Sequence, residues 1–148
     1  MKNAIEQAKL CKIDVPVGCV IKKGGRIVSC AYNRREVDND VTAHAEILAI
    51  KDAQKILNTS RLNECELYVT LEPCPMCASA IQQARVDKLV YGCSSNIDDN
   101  NINFIFQKRR NYIYFTFQFS NFIHTIIRSC INFNYIHTFF RCRVYTWW

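Results

Sequence analysis

Between Asp98 and Trp148 the chain contains no glycine, alanine, leucine, proline, glutamate or methionine. Several of these are among the commonest residues of globular domains, and helices and turns are ordinarily built from them. Any well-packed domain must therefore come from what precedes Asp98. The same segment holds all nine Phe, both Trp and four of the seven Tyr. Charge divides at the same place: 13 basic and 13 acidic residues balance up to Asp99, and all of the net +6 falls after it. We assign residues 1–97 to one domain and residues 98–148 to an aromatic-rich basic tail. That tail reads as a frameshifted or read-through end. The competing reading is an RNA-binding arm, with Lys108, Arg109 and Arg110 on phosphates and aromatic rings stacked on bases.

Within the first 97 residues the pattern is that of an α/β domain. Apolar Ala4, Ile5, Ala8 and Cys11 recur at helical spacing, and Pro16 ends that helix before a strand at 17–21. Gly24-Gly25 predicts a hairpin turn, with a return strand from Ile27 to Tyr32. A helix follows over 43–57, whose core face is read as Ile47, Ile50, Ala53, Ile56 and Leu57. Then come a strand at 66–71, a helix at 75–85 and a strand at 88–92, a unit that favours parallel pairing. The predicted order is α, β, β, α, β, α, β.

The nine cysteines are scattered, and the N-terminus does not read as a secretion signal, so we expect mostly free thiols in the cytoplasm. No stretch reaches the roughly 18 apolar residues of a spanning helix. A membrane partner is not expected.

Two short motifs carry the chemistry. Thr42-Ala43-His44-Ala45-Glu46 holds the only histidine before position 124, two residues from a carboxylate. Alone it reads more readily as a solvated first helical turn. Cys74-Pro75-Met76-Cys77 sets two thiols one helical turn apart, with Pro75 suited to the first helical position. Alone it also admits, as the lesser reading, a redox pair at a helix start. Together the motifs supply one imidazole and two thiols, three zinc ligands with a fourth tetrahedral position open, the pattern of a catalytic site. Glu46 then serves as proton shuttle beside the metal rather than as a ligand. His-x-Glu followed by Pro-Cys-x-x-Cys is the recognised signature of zinc-dependent nucleobase deaminases.

On these residues, and on Val15-Pro16-Val17-Gly18, Tyr32-Asn33-Arg34, Leu67 to Glu72 and Val90-Tyr91-Gly92, the first 95 or so residues resemble the tRNA-specific adenosine deaminases of the cytidine deaminase-like superfamily. The resemblance implies a three-layer α/β/α sandwich around a mixed sheet, with the family's C-terminal strand and helices missing or replaced. It further implies one Zn2+ per chain on His44, Cys74 and Cys77, with Glu46 as catalytic proton donor and Asn33 on the purine base. The implied reaction is hydrolysis of adenosine to inosine at the wobble position of a tRNA anticodon loop, by zinc-activated water, in a homodimer. The alternatives are a free-base deaminase for guanine or cytosine, or a non-catalytic remnant.

Overall fold

The computed structural model describes residues 1–93. The readings of a boundary near residue 97, of a foreign tail and of absent C-terminal elements lie outside the described residues. Eight elements follow in order: α1 (Lys2–Ala8), β1 (Gly18–Lys23), β2 (Arg26–Tyr32), α2 (Arg35–Asp38), α3 (Ala45–Ile56), β3 (Cys65–Leu71), α4 (Pro75–Gln83) and β4 (Lys88–Cys93). The order matches the sequence expectation except for α2, a single turn. It is too short for a periodic pattern, and its end is set by Asn39 in the left-handed conformation (φ 49°).

The four strands form one sheet in the order β2-β1-β3-β4. β1 pairs antiparallel with β2 and β3, while β3 and β4 run parallel, as expected for strands joined through a helix. Gly24 and Gly25 both take positive φ, 55° and 78°, which a two-residue turn of this twist requires and L side chains resist. This closes the hairpin on the Lys23 and Arg26 pair.

Alternation along the strands divides the sheet into two faces. Cys19, Ile21, Leu67, Val69, Leu89 and Tyr91 share one face and join the main core with Ala45, Ala49, Ile50 and Ala53 of α3 and Ala78 and Ile81 of α4. Gly18 lies on the other face, directly beneath α1, so a mixed sheet stands between helical layers as expected. No helix among the described residues is long and apolar enough to cross a membrane.

The core face of α3 matches the expected one at Ile50 and Ala53, with Leu57 packed against the core, and differs elsewhere. Its buried residues are Ala45, Glu46, Ala49, Ile50 and Ala53, whereas Ile56 is 63% exposed. The helical period holds, but a phase weighted on the largest side chains is offset from the one that packs. The small alanines are what allow the helix to lie close to the sheet, fastened by the Ser29 hydroxyl, which donates to the Ala49 carbonyl at 2.8 Å. This rotation carries Glu46 into the interior.

Candidate metal centre

Two helix N-termini form the site. His44 is the N-cap of α3, in extended conformation, and Cys74 is the N-cap of α4, with Pro75 in the first turn and Cys77 buried one turn along. The expectation that His44 lies within its helix is corrected: the imidazole leaves the chain before the first helical residue. The preceding loop is pinned on both sides. Asp40 Oδ1 accepts from the Thr42 amide and from the Thr42 hydroxyl, each at 2.7 Å, while the Arg34 amide donates to the Ala43 carbonyl at 3.0 Å. Such short side-chain-to-backbone bonds replace the ladder that a loop lacks.

His44, Cys74 and Cys77 place their ligand atoms within 4.8 Å of one another, the only such group found among the described residues. His44 Nδ1 is 3.5 Å from Cys77 Sγ and 3.8 Å from Cys74 Sγ. A tetrahedral zinc with bonds of about 2.05 Å to nitrogen and 2.3 Å to sulfur separates such ligands by about 3.6 Å. The donor set and its spacing fit one zinc ion.

Electrostatics prepare the thiols. Cys74 is drawn down to about 4, foremost by the hydrogen bond from the Cys77 thiol, with His44 adding to it. Cys77 correspondingly keeps its proton, and His44 is raised first by its bond to Cys74. The positive ends of α3 and α4 reinforce the thiolate. For both sulfurs to hold zinc, Cys77 would also have to give up its proton. Cys77→Ala is expected to weaken zinc binding by more than about 100-fold, beyond the cost of losing a ligand's supporting hydrogen bond. Metal analysis after dialysis checks this, and one zinc retained per chain would oppose it.

Glu46 is 4% exposed. Its carboxyl is pushed up to about 7, mainly by burial and further by the negative charge of Cys74, against a bond from its own amide. It also exchanges a hydrogen bond with Cys77. A carboxyl poised near neutral pH beside three atoms that could hold a metal ion is suited to moving protons. Below it in the sheet, Cys19 is fully buried and held as the neutral thiol by that burial, with Glu46 contributing.

Asn33, at the end of β2, is 8% exposed. Its Nδ2 donates to the Val15 carbonyl at 3.2 Å, and its Oδ1 is buried with no hydrogen-bond partner. A buried acceptor left unmatched costs about 1–3 kcal/mol, a cost more readily kept where a ligand supplies the partner. The structure thus brings together His44, Cys74, Cys77 and Glu46, and places Asn33 one residue before Arg34, whose amide holds the His44 loop. The Asp40 and Thr42 clasp was not foreseen. An Asp two residues before a Thr in a polar stretch is its only sequence signal.

Comparison with known proteins agrees with this geometry. The family model for the cytidine and deoxycytidylate deaminase zinc-binding region matches residues 1–93. The chain is 50% identical over 94 residues to the tRNA-specific adenosine deaminase of Bacillus subtilis (strain 168), covering 62% of this chain and 58% of that protein. It is 50% identical over 93 residues to the protein of the same name from Aquifex aeolicus (strain VF5), covering 62% of each. This chain therefore spans about three fifths of the length of these curated relatives. A solved structure from a study of A-to-I editing by tRNA:A34 deaminases superposes with a TM-score of 0.71 at 36% identity, covering 78% of this chain and 95% of that one.

Proposed function

The chain belongs to the cytidine and deoxycytidylate deaminase zinc-binding family, and from that premise we propose that it hydrolyses adenosine to inosine at the wobble position of a tRNA anticodon loop. The observation that carries this reading is the convergence of His44, Cys74 and Cys77 with a buried Glu46 beside them. The adenosine substrate is supported by the relatives' names and by their 50% identity over the part that contains the site.

His44 Nδ1 and the sulfurs of Cys74 and Cys77 hold the metal in this reading. Zinc, when bound, supplies a Lewis acid that makes water nucleophilic near neutral pH. Glu46 accepts a proton from the attacking water and passes it to a purine ring nitrogen, then takes the second proton from the hydroxyl so added and delivers it to the departing amine. Adenosine and water become inosine and ammonia, and Glu46 ends as it began. Asn33 contacts the purine. The same reading assigns the catalytic domain to residues 1–97 and the unrelated tail to residues 98–148. It also implies a homodimer and a cytoplasmic location.

Zinc-loaded full-length chain, incubated with an anticodon stem-loop carrying adenosine at the wobble position, is expected to form inosine, read by nuclease digestion and mass spectrometry. Ammonia released from free guanine or cytosine without inosine in the RNA points instead to a free-base deaminase. Neither product would identify a non-catalytic remnant.

A further inference from the structure

Helix α1 stops at Ala8, not at Cys11 as its apolar spacing predicts, and the next turn brings Cys11 beneath the 12–16 loop. There the thiol is surrounded by three carbonyl oxygens: Asp14 at 3.2 Å, Asn33 at 3.4 Å and Val15 at 3.5 Å. Two of these belong to the loop, and the third is the backbone of Asn33, 22 residues away. Cys11 is itself buried.

Asn33 is held at three points. Its amide donates to the Val17 carbonyl at 2.9 Å, its carbonyl faces the Cys11 thiol, and its side-chain Nδ2 donates to the Val15 carbonyl. The Val15 carbonyl in turn accepts from the Val17 amide at 2.8 Å and lies against Cys11. A carbonyl only accepts, so turning the Asn33 amide over would set two oxygens about 3.2 Å apart with no proton between them. The amide therefore has one orientation, and its free atom is Oδ1, an acceptor.

We propose that Cys11 is a positioning residue: its single S–H, shared among the Asp14, Val15 and Asn33 carbonyls, ties the 12–16 loop to the Asn33 backbone and so holds Oδ1 ready for an N–H or O–H donor of the bound nucleoside. This rests on the reading that Asn33 contacts the substrate. Cys11 is not among the candidate metal-holding residues and acts on the site through Asn33.

The test uses zinc-loaded full-length chain and a fluorescent anticodon stem-loop, with Kd read by anisotropy and KM and kcat read by inosine formation. Cys11→Ala is expected to raise Kd and KM about tenfold, the worth of one neutral hydrogen bond. Expected alongside are a kcat within about twofold and an unchanged zinc content, because Cys11 lies outside the chemistry. Cys11→Ser, which keeps a donor, is expected to restore both to within about twofold. Should the alanine variant fail to fold, Cys11→Val fills the volume without a donor and carries the same expectation. If Asn33→Ala weakens binding and the Cys11 variants do not, the positioning role is overturned while the Asn33 contact stands. If Asn33→Ala changes nothing, or the chain binds no stem-loop, the reading beneath the proposal falls. Serine behaving like alanine, or zinc lost in parallel with affinity, would also overturn it.

Discussion

Glu46→Gln is expected to leave one zinc per chain and to lower turnover by about 10²–10⁴, the range that positioned proton transfer contributes. Glutamine keeps the shape of the side chain and removes its titrating proton. The candidate ligand atoms are those of His44, Cys74 and Cys77, none of which changes. Stability is not expected to fall, because burial already disfavours charge on this carboxyl. Metal analysis, single-turnover inosine formation and thermal unfolding on the same sample separate the three effects. Zinc lost with turnover retained would sink the assignment of Glu46 as the proton shuttle.

Gly18→Ala is expected to be the most damaging single methyl group in the domain. A Cβ at that position lies 2.0 Å from the Ala4 carbonyl oxygen and 2.5 Å from the Ala8 nitrogen, both backbone atoms of α1. No side-chain rotation relieves such a contact, so the helix must lift from the sheet and uncover Ala4, Ile5 and Ala8. Overpacking of a well-filled core costs typically 1–3 kcal/mol, and a clash with backbone on two sides belongs at or above the top of that range, about 3 kcal/mol. For a domain of this size that corresponds to a fall in Tm of roughly 12–24 °C. Urea unfolding gives the direct measure, and a loss below about 1 kcal/mol would mean that α1 slides freely over β1.

Legibility differed between elements for identifiable reasons. The Gly24-Gly25 turn is local chemistry: two residues that tolerate positive φ between two apolar runs, and both take it. Pro75 at the start of α4 is equally local, as its fixed φ suits a first turn. The phase of α3 is not local. Hydrophobicity favours Ile47 and Ile56, yet close approach to the sheet selects the alanines and with them Glu46. The end of α1 was misplaced for a related reason. Cys11 is buried, so it continues the apolar spacing, but it is buried beneath a loop rather than along a helix.

By itself the sequence determined which residues are the candidates for the chemistry, because His44, Glu46, Cys74 and Cys77 announce themselves by type and spacing along short segments. It also determined most of the elements that carry them, since strand and helix periods, glycine turns and helix-start prolines are properties of neighbouring residues. Only the tertiary structure decided how these parts meet. Pairing of β1 with β3, although β2, α2 and α3 lie between them in the chain, brings the two helix starts together, the packing of α3 buries Glu46, and the Cys11 loop orients Asn33. Contacts between residues 20 to 50 positions apart leave no periodic trace in the chain, because what selects them is the space remaining once the sheet and its helices have closed.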